Sequence, residues 1–448
     1  MNKIVILGIL IVASILQTMG LWTGGKMPWY SLVGVQMDNT LYPITPESIW
    51  INTGGKYTKA YRITDSQNEY DAISSQLQEA LLSYNNFEEL GYSMGDWQDI
   101  LTQKGIIYQY SIPVTIDEIV GKSVPLQYNY KIDSVLIKFD ESSASQTAIY
   151  LINEINEYYL EVILHNRDYD FNKIYSMFEI DNDNNNVIQY QPSITDIKSQ
   201  FIRGNVFLAN TSEAIPLKYT PIIFKNDLID TANQMIALEG YVDQFFEKPI
   251  MKETKVLFGG TIEFTEPLKS IVRYNNSGVI QYINLVSGNT TNPMTRIEGY
   301  DIAVDFIEET QAISPSIKEN LYLSNINIDQ GAYVFEFDII YEGHKVNIGT
   351  NMQRKLDITS AITIKVKDYR VVEGKWITYN IYPDYVSGTR LISEGYASPI
   401  DRMYSNLRSL GVEQPIFDSV ELIYVLENSN SVINLNWGVQ YEGIWYVP

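Results

Sequence analysis

Two histidines, no cysteine and a surplus of carboxylates bound the chemistry open to this 448-residue chain. A zinc site or a serine–histidine–aspartate relay needs an imidazole with partners at workable spacing. His165 and His344 stand far apart, and neither lies in a ligand or relay pattern. His344 falls in Tyr341-Glu-Gly-His-Lys-Val346, which reads as a turn at a strand end, so both imidazoles read as solvated surface groups. A phosphate-cradling loop needs a further glycine or Gly-Lys-Ser/Thr after its first glycines. Gly24-Gly25, Gly54-Gly55 and Gly259-Gly260 have neither. Asp181, Asp183 and Asn185 match the first, third and fifth positions of a calcium loop. The sixth position is Asn186 instead of glycine, and the twelfth is Pro192 where a bidentate glutamate is needed. That run reads as a polar turn between strands. Glycosidase-type carboxylate pairs depend on a separation that sequence spacing does not set. No catalytic residue, cofactor or metal ligand is assigned.

Composition narrows the class further. Asp and Glu number 54 against 32 Lys and Arg, and the net charge of −22 repels nucleic-acid phosphate. Hydrophobic residues at 45% and aromatics at 12% are ample for packed cores. The length suggests two to four domains and buries enough surface to fold without disulfides. Many Asn, Ile and Tyr with few Ala give the impression of an AT-rich Gram-positive source, in which Asn289-Thr-Thr291 is a surface loop and no glycan site.

The elements that must carry any activity begin with residues 4–22, an uncharged run from Ile4 to Trp22. As a helix it would reach about 28 Å, close to a bilayer's hydrocarbon thickness. Lys3 precedes it, while Trp22 and Trp29 follow at the expected outer interface. The spacing predicts a single-pass anchor with the bulk of the chain outside the cytoplasm. A cleaved signal peptide is the competing reading, against which the segment Gln17-Thr-Met-Gly-Leu-Trp22 offers no Ala-x-Ala site.

Beyond a short hinge at 23–28, residues 48–52 and 57–63 read as strands about Gly54-Gly55. Ile73, Leu77, Ala80, Leu81 and Tyr84 form one helical stripe. A shorter helix with Trp97, Ile100 and Leu101 is expected to stop at Gly105. Strands follow at 106–112 and 134–139. Residues 148–164 suit two strands turning between Asn153 and Asn156 better than one helix, because Ile, Tyr and Val dominate.

The remainder reads as a helix followed by antiparallel strands, three times over. Asn226 or Asp227 is expected to cap a helix bearing Leu228, Ala232, Met235 and Ile236. Strands at 270–274 and 279–284 then meet at the hairpin signal Asn275-Asn-Ser-Gly278. A second helix places Ile302, Ala303, Phe306 and Ile307 on one face, ahead of strands at 322–328, 333–341, 361–366 and 375–382. Ser398 and Pro399 open a third, with Ile400, Met403, Leu407 and Leu410, closed by Gly411. Strands at 419–426, 432–440 and 444–447 complete the chain.

The expected class is α+β: one N-terminal transmembrane helix, an α+β domain, then repeated helix-plus-antiparallel-sheet modules. The divisions are a cytoplasmic tip at 1–3, the anchor at 4–22, the first domain at 23–200, and modules at 201–298, 299–385 and 386–448.

Three stretches carry a family resemblance. They are Leu16-Gln-Thr-Met-Gly-Leu-Trp22 with Leu41-Tyr-Pro43, Val272-Arg-Tyr-Asn-Asn-Ser-Gly-Val-Ile-Gln-Tyr282, and Val420-Glu-Leu-Ile-Tyr424 with Leu435-Asn-Trp-Gly-Val439. Together with the element order they resemble the YycH family, and the C-terminal modules are also similar to YycI. The resemblance implies a non-enzymatic, single-pass extracytoplasmic protein that works with a YycI-like protein. Together the two adjust a membrane sensor histidine kinase, YycG (also called WalK), linked to cell-wall homeostasis. No catalytic residues are implied. Within the anchor, Gly8, Ala13, Ser14, Gln17 and Gly20 offer close approach and hydrogen bonds to a partner helix, with Gly8, Ser14, Gln17 and Gly20 the partner-binding candidates. An ordinary anchor tolerating small residues is the alternative. The rival class is an envelope-anchored binding protein for a peptide, glycan or wall component, with its 34 tyrosines on sheet faces.

Overall fold

Nine strands rich in Ile, Tyr and Val build the first sheet of the computed structural model. They are β1 (Ser48–Asn52), β2 (Tyr57–Ala60), β3 (Phe87–Ser93), β4 (Gly105–Val114) and β5 (Ile132–Lys138), then β6 (Thr147–Asn153), β7 (Tyr158–Leu164), β8 (Tyr190–Pro192) and β9 (Phe207–Ala209). Their spatial order is β3-β7-β6-β5-β4-β1-β2-β8-β9, antiparallel throughout. The central strands read as near-continuous apolar runs because both faces are covered: Ile106, Ile107 and Tyr108 of β4 are buried, as are Val135, Leu136 and Ile137 of β5. Helix α1 (Glu69–Leu82) buries Leu77 and Leu81 and packs beside α2 (Ile116–Val120). A Thr115–Glu118 capping box starts α2, each side chain bonding the other residue's backbone N–H.

The structure describes residues 41–52, 57–60, 69–82, 87–93, 100–101, 103–122, 130–138, 147–154, 156, 158–164, 188–226, 228, 234–286, 293–427 and 432–448. The proposed anchor, with Gly8, Ser14, Gln17 and Gly20, lies outside these residues, and so do His165 and the run from Asp181 to Asn186. Among the described residues no helix is long and apolar enough to cross a membrane.

After β10 (Leu217–Tyr219), β11 (Ile222–Lys225) and α3 (Gln234–Val242), a meander begins: β12 (Glu253–Val256), β13 (Ile262–Glu266), β14 (Ser270–Asn275) and β15 (Val279–Asn284). Next come α4 (Arg296–Glu309), α5 (Pro315–Lys318), β16 (Leu321–Asp329), β17 (Ala332–Tyr341), β18 (His344–Ile348) and α6 (Thr350–Leu356). They lead to β19 (Ile362–Lys367), β20 (Arg370–Ile377), β21 (Asn380–Pro383) and β22 (Arg390–Ile392). The last stretch holds α7 (Ala397–Ser409), β23 (Ser419–Leu426), β24 (Val432–Ile433), β25 (Leu435–Tyr441) and β26 (Ile444–Tyr446).

Helix-then-strand order thus occurs at α3, α4 and α7, yet the strands after all three helices enter one twelve-stranded sheet. Its order is β12-β13-β14-β15-β20-β19-β17-β18-β23-β25-β26, with β16 also on β17. β15 pairs with β20 and β18 runs parallel to β23, joining stretches far apart in sequence. The α+β class therefore holds, with many strands and few helices. Helix α4, opened by a Thr295–Glu298 capping box, buries Tyr300, Ala303 and Ile307, and the Tyr300 ring meets Phe335 and Phe337. From Tyr42 to Pro448 the described chain is one compact unit.

Several local expectations need correction. Gly105 does not end a helix: it opens β4 opposite Lys138, where a Cβ would lie 2.5 Å from the Ile137 carbonyl oxygen. Helix α3 turns Leu238 and Val242 inward and leaves Met235 and Ile236 exposed, while Asn226 caps a local turn by accepting from the Leu228 N–H. The single strand expected over 375–382 is two strands in different sheets, β20 and β21. In α7, Ser398 donates to Glu394 and does not cap the helix, and Leu410 is exposed. The expected hairpin is present, with Asn275 Oδ1 accepting from the Val279 N–H and Gly278 at φ 95°, a backbone that glycine adopts without strain.

Candidate interaction surface

A largely buried lysine joins the chain's first described segment to the large sheet. Lys345 on β18 places its Nζ 2.7 Å from Glu47 Oε1 and 3.0 Å from Glu421 Oε1 on β23. Burial alone would lower the ammonium pKa, but the Glu421 and Glu47 carboxylates outweigh it and hold the pKa well above that of an ordinary lysine. Two neighbours in the same region face each other across β16 and β17. They are Tyr322, whose hydroxyl burial pushes far up, and Asp338, whose carboxyl burial also raises. Elsewhere α4 is tied to α2 by Arg296, which forks onto Glu118, and β4 to β16 by Ser111 Oγ, which donates to the Leu323 carbonyl.

His344 belongs to this junction, which corrects its reading as a solvated group. The turn at Glu342 and Gly343 is tight, both residues taking positive φ, and β18 resumes at once. The imidazole is buried with Nδ1 3.2 Å from the Leu422 carbonyl oxygen. It lines a space against Trp50, Tyr190, Phe207 and Trp437 that would hold at most about one water. Ion pairing and packing are what this cluster does chemically. Among the described residues no group of three or more His, Cys, Asp or Glu is placed to hold a metal.

Open concavities are polar and carry mixed charge. One of about 510 Å³ is bounded by Arg354, Lys365, Lys375, Asp329, Asp357 and Glu373. Lys365 pairs there with Asp329 and Lys375 with Asp357. A second, of about 360 Å³, lies between Arg203, Asp418 and Tyr441. Tyrosines instead fill the core: Tyr57, Tyr108, Tyr274, Tyr379 and Tyr424 are among the largest fully buried side chains.

Exposed apolar side chains gather at one end of the large sheet. Ile250, Met251, Val256, Leu257, Phe258 and Leu268 flank edge strand β12, all of whose residues are exposed. A further group, Tyr385, Val386 and Leu391, lies around β22. Exposed apolar residues gathered in this way mark interaction sites more often than isolated ones do. None of these positions stood out in the sequence, because a four-residue strand reading Glu-Thr-Lys-Val has no apolar period.

No protein-family model and no curated protein matches the chain. Solved structures do. YycH from Bacillus subtilis superposes with a TM-score of 0.56 at 16% identity, covering 90% of this chain and 95% of that one. An uncharacterized protein from Eubacterium rectale gives a TM-score of 0.35 at 10% identity over 56% of this chain and 84% of that one. What is held in common with the first, over 90% of this chain, is architecture: this chain has a YycH-like fold.

Proposed function

We propose that this protein is a membrane-anchored extracytoplasmic regulator that modulates a sensor histidine kinase of the YycG/WalK kind, in concert with a YycI-like protein, and catalyses no reaction. The observation that carries the reading is the YycH-like fold over 90% of the chain. Residues 4–22 hold the protein at the cell membrane as a single-pass helix, and the described unit lies outside the cytoplasm. The stretches 201–298, 299–385 and 386–448 are read as repeats whose strands have merged edge to edge. Regulation by contact needs accessible apolar surface, and the flanks of β12 supply it. Binding a small ligand or glycan would instead call for a deep pocket with convergent polar and aromatic groups. The larger open cleft is lined by charged residues that include two ion pairs, and Tyr57, Tyr108, Tyr274, Tyr379 and Tyr424 are buried in the core.

Crosslinking the full-length protein in its own membranes, followed by affinity purification and mass spectrometry, tests the partner. A histidine kinase and a small single-pass protein are expected in the eluate. A purely soluble ligand or wall fragment, with neither protein enriched, would favour the binding-protein reading.

A further inference from the structure

We propose that the open edge of β12 is a homodimer interface, at which two copies pair their β12 strands antiparallel about a two-fold axis through Thr254. Among the described residues β12 pairs with β13 alone, so one row of its backbone N–H and C=O groups has no strand partner. Such an edge is a template for another strand unless it is blunted. Its four-residue length and the charges of Glu253 and Lys255 discourage an unmatched strand, while the flanking apolar residues favour contact: Ile250 and Phe258 are fully exposed.

The hydrogen-bond pattern limits the registers available. Leu257 N donates to Thr261 O at 2.7 Å, which makes position 257 an inward-facing, bonded position on β13. Alternation along an antiparallel ladder then turns positions 255 and 253 inward too, and directs the N–H and C=O of Thr254 and Val256 to the open edge. A closed, two-fold pair has the same residue at its centre in both copies. Centring on Lys255 sets Lys255 against Lys255 of the second copy, and centring on Glu253 sets glutamate on glutamate. Centring on Thr254 or on Val256 avoids like charges, and of these two only the Thr254 register brings opposite charges face to face. It uses outward-facing groups at its centre and sets Glu253 opposite Lys255 of the second copy, twice. In the single chain those two side chains pair with each other along the strand, at 3.0 Å and half in water.

Past the strand ends the chain leaves the ladder in short 3-10 turns at Pro249–Met251 and Phe258–Gly260. Ile250, Met251, Leu257 and Phe258 stand exposed at those ends, beside the paired strands. Charge agrees with this choice. Two chains of net −22 repel, whereas residues 246–269 carry four lysines and four glutamates and form a neutral landing site.

Because the chain has no cysteine, Thr254→Cys gives a single reporter on the axis. Directly bonded pairs bring Cα atoms to about 5.5 Å, within disulfide range. Full-length Thr254→Cys protein in its membranes, oxidised with copper phenanthroline, is expected to run as a covalent dimer. Val386→Cys, fully exposed on the other patch, should remain monomeric. In the Thr254→Cys background, Glu253→Lys or Lys255→Glu alone should cut the dimer on the order of five-fold, since each sets like charges face to face twice. Both changes together should restore it. Three results would overturn the dimer: crosslinking no greater than at Val386→Cys, indifference to the charge changes, or a mixed adduct with another membrane protein in place of the homodimer.

Discussion

Glu47 and Lys345 lie 298 positions apart in sequence and 2.7 Å apart in space, one just ahead of the first strand and the other inside the large sheet. Replacing Lys345 with Met leaves both Glu47 and Glu421 without their shared cation. Because all three side chains keep some contact with water, the expected cost lies below the roughly 3–5 kcal/mol of removing one partner of a fully buried pair. Glu47→Gln should cost less in the Lys345→Met background than in the native chain, because its charge is already uncompensated there. Urea midpoints of the four proteins measure the coupling. Strictly additive effects would mean that the pair contributes nothing beyond its separate side chains.

Acid sensitivity should trace in part to Glu118. Burial alone would raise its carboxyl pKa, but the hydrogen bonds and charge of Arg296 hold it below the ordinary 4.5. A lowered folded pKa stabilises fully above the unfolded value and loses that contribution as pH falls through the folded one. Glu118→Gln should therefore be about 1–3 kcal/mol less stable at pH 7. That gap should narrow below about pH 4.5, where the unfolded carboxyl protonates ahead of the native one, and level off once the native carboxyl is protonated too. Urea midpoints at several pH values follow it, and a gap that stays constant would remove Glu118 from the acid transition.

Helix α7 separates core from surface within one turn. Leu407 is 7% exposed and Leu410 79%. Leu407→Ala should cost about 2–5 kcal/mol, while Leu410→Ala should stay within about 0.5 kcal/mol of the native chain. Equal shifts in the urea midpoint would show the helix face to be wrongly assigned.

The contrast between those leucines marks what sequence can reveal. The 275–278 hairpin, the split at Asn153 and Asn156 and the inner faces of α4 and α7 were legible, because turn chemistry and helical period act over a few residues. Leu410 misled because apolar spacing continues one turn past the point where the chain leaves the core. Gly105 misled for a different reason: its constraint comes from the Ile137 carbonyl on a neighbouring strand, not from its own position after a helix. β18 went unread because it is short and its parallel partner, β23, lies about 80 residues further on. The Lys345 cluster and the β12 edge are products of the same long-range pairing, so neither had a local signature.

For the anchor, a tether needs only length and apolarity, whereas a partner-binding helix needs close approach and a polar group. Changing Gly8, Ser14, Gln17 and Gly20 together to Leu should leave membrane localisation and ectodomain folding intact and clearly lower co-purification with a membrane kinase. Single changes are expected to register weakly, since such contacts are worth about 0.6–2 kcal/mol each. Undiminished co-purification of the fourfold variant would make the helix a tether only.

Regulation itself is read most directly as the autophosphorylation rate of the membrane histidine kinase, reconstituted in lipid vesicles with and without the full-length chain. A regulator must couple to the kinase, so saturating amounts of the chain are expected to raise or lower the rate. A rate indifferent to saturating amounts of the chain would contradict the proposed function.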